Sequence, residues 1–411
     1  MTLPDRLPAL FKPLFDQDYL TDPYAVYDTL RTATPVVWNE PLNAWIVTRA
    51  DDVRHVFQTP TVFSSNRVPL GRARFPQPEL TPLFDMVELL MLQRDDPQHT
   101  RLRRLVAKAF GKTAIASYSG MICDRIDALT ASARDSGDIE FLHDFAVPLP
   151  VLVISEIVGI PAKDREQVKA WCDAFSFVAL NFYARITDEQ LTNGLTAITT
   201  FRAYLADLVE DRRHSPRDDL LSALVAAEED GDRLSFDELL ANTILLLNAG
   251  NETTTVLLTH LAYQLATSPD VQTRLRADPT LIAEAVEESL RHRPPVQFLG
   301  RIATQTTDLA GQTIAKGDLV LIFLGAAGRD PDLFTDPNAF SIDRGKIHHL
   351  SFGSGPHVCA GLQLARLEAV ETVTRLLQTF SDIRLANTDL GIGPNLNLRN
   401  FARLPLTLTP K

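Results

Sequence analysis

The sequence predicts a mainly α-helical protein with a minor β portion, folded as one domain over residues 1–411. Three observations lead there. Apolar residues recur at helical spacing through approximately 97–293 and again over 361–379. Short runs of β-branched and aromatic residues, bounded by Pro, Gly and Asn, cluster at approximately 35–50 and 296–325. No repeat, low-complexity tract or linker divides the chain.

In chain order, residues 24–31 read as a first helix that ends before Pro35. The strand-like runs 36–38 and 44–47 are joined by a turn around Pro41 and Asn43, and the helical period resumes over 51–57. Residues 66–94, punctuated by prolines and rich in large apolar side chains (Phe75, Phe84, Met86, Met91), read as a long irregular segment of the kind that carries function. Helices follow from Pro97. The longest is expected from Ser235, where Ser235-Phe236-Asp237-Glu238 fits a capping box, to about Thr267. Beyond Pro294 the texture turns to short β runs at 301–303, 309–314 and 319–323. A loop rich in Pro and Asp (330–343), a glycine-rich loop and a last helix complete the pattern.

Composition narrows the function classes. With 40 Lys+Arg against 52 Asp+Glu, the net charge of −12 has the wrong sign for a general nucleic-acid binder. Cys123, Cys172 and Cys359 are too few and scattered for a disulfide framework, which points to a reducing compartment. Residues 1–13 mix acid, base and prolines without the apolar stretch of a signal peptide. Longer apolar runs are broken by Pro148, Pro150 and Glu156, or by Asn248, Asn251 and Glu252, short of the roughly twenty residues a membrane span needs. A cytoplasmic protein is expected.

The chemistry concentrates in Phe352-Gly353-Ser354-Gly355-Pro356-His357-Val358-Cys359-Ala360-Gly361. One cysteine ends a glycine-rich loop that runs into an apolar helix. A thiolate is a soft, strong metal ligand if it stays deprotonated and shielded, and the N–H groups at a helix start favour the negative sulfur. Gly353, Gly355 and Gly361 would let the backbone approach something flat and bulky, and Phe352 would cover the sulfur. The pattern is that of a thiolate facing a metal centre. Zinc held by His348, His349, His357 and Cys359 fits no common ligand spacing. A nucleophilic Cys359 with His357 as its base is a further alternative.

Other residues are suggestive only in combination. Within 245–255, polar residues interrupt an apolar helix, and Gly250 costs about 1 kcal/mol against alanine there. Ala249 and Gly250 would let a planar ligand press on the helix, with Glu252 and Thr253 as a proton path; a solvated helix face is the plain alternative. Glu288 and Arg291 share a helical face three apart. His99 and Arg103, one turn apart, would clamp a carboxylate or simply belong to an arginine-rich surface helix. Arg301 and His357 are candidates of the same kind.

Read in order, these pieces resemble the cytochrome P450 superfamily in its soluble bacterial form. The loop around Cys359 matches the haem-binding loop, Ala249-Gly250-Asn251-Glu252-Thr253-Thr254 the oxygen-activation motif, and Glu288-Ser289-Leu290-Arg291 the paired acid–arginine motif. Ala327-Gly328-Arg329-Asp330-Pro331 is similar to the segment placed before the cysteine loop. The resemblance implies the cytochrome P450 fold and haem b with Cys359 as axial thiolate. It places Phe352, Gly361, Ala249 and Gly250 against the haem, His99, Arg103, Arg301 and His357 at its propionates, and Glu252 and Thr253 as the pair that delivers protons. Glu288 and Arg291 are structural.

The implied activity is a haem-thiolate monooxygenase that inserts one atom of O2 into a hydrophobic small molecule, by C–H hydroxylation first, with epoxidation or dealkylation open. Electrons would come from NAD(P)H through a separate ferredoxin and its reductase, docked on Arg101, Arg104, Lys108, Lys346 and Arg366. No nucleic acid or membrane is expected as a partner, and the chain is expected as a monomer. Expected pocket residues are Val87, Leu89, Leu90, Leu245, Asn248, Ala249, Val296, Phe298, Leu299 and Leu396, with Asn248 as the polar handle. Three positions depart from the family pattern: Asn251 where histidine is common, Gly328 in place of asparagine, and Ala339 where an arginine often joins Glu288 and Arg291. Arg344 is the candidate replacement. A non-catalytic haem sensor and a peroxide-driven peroxygenase are the alternative readings; the acid–alcohol pair speaks against both.

Overall fold

The computed structural model describes residues 19, 22–109, 112–179, 186–229, 232–393, 395 and 397–411. Helices dominate it, and their ends follow local chemistry. Pro23–Ala33 starts on Asp22, whose carboxylate accepts from the Tyr24 N–H at 3.0 Å, while Pro23 occupies a position that needs no donor. Phe236–Ala249 starts on the expected capping box, with Ser235 Oγ accepting from the Glu238 N–H (3.1 Å) and Glu238 Oε2 from the Ser235 N–H (2.9 Å).

Three sequence expectations change. Residues 66–94 are not irregular: helices Val68–Arg74 and Thr81–Glu88 alternate with 3-10 turns Pro78–Leu80 and Met91–Gln93. Pro69, Pro78 and Pro82 sit in first turns, so proline starts these helices instead of abolishing them. The run from Ser235 is two helices, Phe236–Ala249 and Glu252–Thr267, interrupted at Gly250 and Asn251. Asp188–His214 is the longest described helix. Finally, 309–314 is a hairpin, Thr307–Leu309 against Gln312–Ile314, turning through Ala310 (φ 49°) and Gly311 (φ 79°).

Contacts divide the chain into two compact units, neither bounded by a linker. One comprises Met1–Phe63, Ser119–Leu149 and Glu252–Lys411; the other comprises Ser64–Tyr118 and Pro150–Asn251. The second is helical in the main. Arg212 on Asp188–His214 is buried there, donating to Asp219 (2.7 Å) and to the Gly159 carbonyl (2.9 Å). Asp219 in turn caps Leu220–Ala226.

The first unit holds four adjacent strands of a sheet, in the order Val36–Asn39, Ala44–Val47, Leu319–Phe323, Phe298–Ala303. Leu319–Phe323 runs parallel to Ala44–Val47 and antiparallel to Phe298–Ala303, with Val320 opposite Arg301. Val47, Val320 and Ile322 pack with Val53, Val56 and Phe57 of helix Ala50–Gln58 and with Leu350. Leu350 thereby anchors in the core the segment that leads to Cys359.

A buried carboxylate fixes the chain just upstream. Glu288, 1% exposed, receives Arg291 Nε (2.6 Å) and Nη2 (2.7 Å), Arg344 Nε (2.9 Å) and the Ser341 N–H (2.8 Å). Arg291 also donates to the carbonyls of Gly328, Pro337 and Ala339, and Arg344 to those of Thr335, Asp336 and Ala339. Arg344 therefore stands in the place left open at Ala339. Gly328 also has a reason: a Cβ there would lie 2.3 Å from the Arg291 carbonyl oxygen, so no side chain fits.

Helix Leu362–Thr379 buries a second carboxyl, Glu368, whose Oε2 has no hydrogen-bond partner among the described residues; nor has Thr372 Oγ1 one turn on. Burial raises the Glu368 carboxyl from 4.5 to about 8.

Two stability predictions follow from these carboxyls. Arg344→Ala, which strips Glu288 of one guanidinium, should lower the unfolding free energy by about 2 kcal/mol in urea titrations, and Arg344→Lys should restore only part, since an ammonium lacks the fork. Glu368 keeps a proton in the fold that the unfolded chain releases above its ordinary 4.5, so its contribution falls as pH rises from there to about 8. Glu368→Gln should match the parent near pH 4.5 and exceed it by about 4 kcal/mol at pH 8.

Candidate active site

In the first unit the cysteine loop is built on two left-handed glycines. Gly353 (φ 75°) and Gly355 (φ 71°) turn the chain so that the Gly353 N–H reaches the Leu350 carbonyl (2.8 Å) and the Cys359 N–H the Phe352 carbonyl (2.9 Å). A Cβ on Gly355 would meet the Phe57 carbonyl oxygen at 2.7 Å, so glycine is also required by space. Gly361 differs from these two glycines. Its φ is −88°, it caps helix Leu362–Thr379, and a Cβ built on it meets nothing within 4 Å.

Phe57 was missed by sequence reasoning. Its backbone lies against Gly355, its ring edge lies 3.6 Å from a Cβ built on Gly353, and the Arg301 guanidinium sits 5.4 Å from its ring centroid. Only an apolar position in a short amphipathic helix announced it. Arg301 itself is buried (5% exposed) and donates to the Gly300 carbonyl at 2.8 Å. His357 closes the 3-10 turn Gly355–His357 and is half-buried. His349 of the weighed zinc set is turned to Glu287 and Ser351.

Glu252 and Thr253 open helix Glu252–Thr267, Glu252 exposed and Thr253 half-buried. Thr255 Oγ donates to the Ala146 carbonyl (2.9 Å), which fixes the first turn of this helix. Val296 and Leu299 are half-buried, while Phe298 is buried and stacks on Phe323 at 5.1 Å. Leu396 lies outside the described residues.

The second unit carries the remaining candidates. His99 is 3% exposed on helix Gln98–Ala109, and Arg103, half-buried, follows one turn later. Ala249 is exposed at the end of its helix, and Gly250 has ordinary room around it. Asn251 is buried, with Oδ1 lacking a partner among the described residues. Val87, Leu90 and Leu245 are buried and Leu89 is half-buried. Asn242, also missed, pins this region: fully buried, it donates to the Leu89 carbonyl (3.1 Å) and accepts from the Met91 N–H (2.9 Å). Asn248 donates its amide to the Cys172 carbonyl at 3.0 Å.

The cysteine loop fits a broad flat group that carries a soft metal. Phe352, Val358, Cys359 and Ala360 are only half-buried although Leu350 and Leu364 beside them are buried, and the space at Gly361 is open. Apolar side chains left uncovered in an otherwise packed loop match a cofactor face.

Comparison with known proteins gives the same answer. A family model for cytochrome P450 matches residues 32–280 and 279–384. Cytochrome P450 109 of Bacillus spizizenii is 36% identical over 391 residues, covering 95% of this chain and 92% of that protein. The structure of P450BioI in complex with an acyl carrier protein ligated to hexadec-9Z-enoic acid superposes with a TM-score of 0.87 at 34% identity, covering 95% of this chain and 99% of that one. CYP109E1 from Bacillus megaterium in complex with testosterone gives 0.83 at 30%, covering 94% and 99%. With the matched segments spanning the broken helix, the buried Glu288 and the loop of Cys359, the chain belongs to the cytochrome P450 family, has its fold, and is an enzyme of the monooxygenase class.

Proposed function

We propose that this enzyme hydroxylates a C–H bond of a hydrophobic small molecule, with epoxidation and dealkylation as variants, taking electrons from NAD(P)H through a separate ferredoxin and reductase. The observation that carries the reading is the half-open loop of Cys359, a thiol held by its own N–H to Phe352 at the foot of a helix. Haem b, when bound, supplies oxygen activation, with electron density donated by the thiolate. In the balance, RH, O2, two electrons and two protons give ROH and water.

The chain's own residues divide the remaining work. Cys359 is the ligand, with Phe352 and Gly361 beside it. Arg301, His357, His99 and Arg103 supply cationic and hydrogen-bonding partners for the two propionates, which need them when removed from water. Ala249 and Gly250 leave the helix end without side-chain bulk where a flat group would lie. Thr253 and Glu252 occupy the first turn of a helix that restarts after a break, where an alcohol and a carboxylate side by side can hold and pass protons.

For substrate, the apolar Val87, Leu89, Leu90, Leu245, Val296, Phe298 and Leu299 favour a molecule of low polarity, consistent with the fatty acyl group and the steroid bound by the two structural relatives. The partner of the Asn248 amide is a carbonyl, which can only accept; the side-chain orientation is thereby set, and Oδ1 is left to accept. A substrate bearing a hydroxyl or N–H group suits it. A ferredoxin would meet a smaller positive set than the sequence suggested. Arg101 is paired with Asp232 and Glu238 and Arg366 with Glu287, Arg104 and Lys346 are exposed, and the Lys108 side chain lies outside the described residues.

Two substitutions test the reading. Cys359→Ser should lose the red-shifted absorbance of the reduced carbonyl complex; its persistence would refute the ligand assignment. Thr253→Ala should keep that absorbance but divert most of the NAD(P)H to hydrogen peroxide, with product formation falling roughly a hundredfold, the low end of what a positioned proton donor contributes. Coupled turnover in this variant would remove Thr253 from the proton path.

A further inference from the structure

Glu287, next to the buried Glu288, faces a different set of residues, and all of them lie in the first unit. Its Oε1 accepts from Arg366 Nε at 2.6 Å and its Oε2 from Arg366 Nη2 at 2.8 Å, a two-pronged pair. Its Oε2 also accepts from His349 Nε2 at 3.2 Å. The His349 side chain is 3% exposed, and its Nδ1 accepts from the Ser351 N–H at 3.2 Å. A backbone N–H can only donate, so Nδ1 carries no proton and Nε2 does: the ring is in one defined tautomer, aimed at the carboxylate.

Both groups that Glu287 holds converge on Phe352. The Arg366 guanidinium lies 4.8 Å from the centre of the Phe352 ring, and the His349 ring lies 5.8 Å from it at 45°. The Phe352 carbonyl is the acceptor for the Cys359 N–H, and Ser351 Oγ is tied to the Leu290 carbonyl at 2.6 Å. Burial alone would raise the Glu287 carboxyl, but the hydrogen bonds from Arg366 and His349 and the charge of Arg366 prevail and hold it down at about 2, so it stays ionised throughout the neutral range.

We propose that Glu287 is a positioning residue for the cysteine: through Arg366 and His349, both packed against the Phe352 ring, it fixes the backbone that presents Cys359. An unheld Phe352 would let its carbonyl, and with it the Cys359 N–H, drift, changing the hydrogen bonding around the sulfur. The proposal rests on the reading of Cys359 as ligand, which the Cys359→Ser spectrum tests separately. It also separates two neighbouring carboxylates: Glu288 secures the approach to the loop, Glu287 the loop itself.

The test uses the full-length, haem-loaded protein, with Glu287→Gln and Arg366→Lys as variants. Lysine keeps the charge but loses the fork and the planar contact with Phe352. Two quantities are read besides thermal stability: the midpoint potential of the ferric/ferrous couple, and the rate at which the reduced carbonyl complex converts to its short-wavelength, thiol-ligated form in mild urea. Both variants should shift the potential and convert roughly threefold faster or more, as expected for loss of a partly buried, charge-assisted contact. Parental potential and conversion rate in both would overturn the proposal even if melting temperatures fall, because a merely structural ion pair predicts that result. A shift in Glu287→Gln without one in Arg366→Lys overturns it too, since the carboxylate would then act without the guanidinium. Should Glu287→Gln fail to load haem, Arg366→Lys decides by the same two readings.

Discussion

A carboxylate taken out of water has to be met by as many donors as water gave it, and Glu288 imposes that demand on the segment before the cysteine loop. Its two oxygens receive Arg291, Arg344 and the Ser341 N–H, and the two guanidiniums spend their remaining N–H groups on five carbonyls between 328 and 339. A stretch without helix or strand is thus held by charge where it has no ladder of its own. The same demand explains why Gly328 has no side chain, because the Arg291 backbone already fills that space. The pair is weak evidence for stability in itself, since burying ions is costly. Its consequence is geometric: five carbonyls of the chain between 328 and 339 are held by two guanidiniums, and the cysteine loop follows from that segment.

The broken helix is a second interruption with a local cause. A continuous helix through 236–267 would have paired each N–H with the carbonyl four residues back. Instead the Asn251 N–H reaches only to Asn248, at 3.1 Å, and a new first turn begins at Glu252. The dipole at a helix start favours an adjacent acid, and Glu252 stands in the first turn with Thr253 next to it. Gly250 lowers the cost of the interruption but is not forced by crowding, since a Cβ there would meet only ordinary contacts at 3.5 Å and beyond.

What was legible in the sequence was local. The Ser235 capping box, the 36–47 hairpin strands and the Glu288–Arg291 pair all depend on residues within a few positions of one another, and each is present in the structure. What was hidden depends on partners far apart in the chain. Arg344 reaches Glu288 across 56 residues, Arg366 reaches Glu287 across 79, and Asn242 holds Leu89 across 153. No spacing rule connects such pairs. Phe57 looked like one more apolar residue of a short helix, and its backbone carbonyl, not its side chain, is what demands glycine at 355. The break after Ala249 was read as a helix interior because Gly and Asn within an apolar run are tolerated often enough to carry no certain signal.

The choice among the three cysteines shows what environment adds to a motif. Cys172 is fully buried, and burial, reinforced by Asp173, pushes its thiol far above the ordinary range; Cys123 is pushed up by burial and by the neighbouring Glu371. Both shifts disfavour the thiolate, the form in which sulfur binds a soft metal. Cys359 is the one placed in a half-open loop, three residues before a helix whose capping Gly361 leaves space beside it. Its neighbours are held from behind by Leu350 in the core and by the Glu287 cluster on Phe352. A ligand sulfur must be accessible on one side and held on the others, and of the three cysteines Cys359 is the one that is not buried.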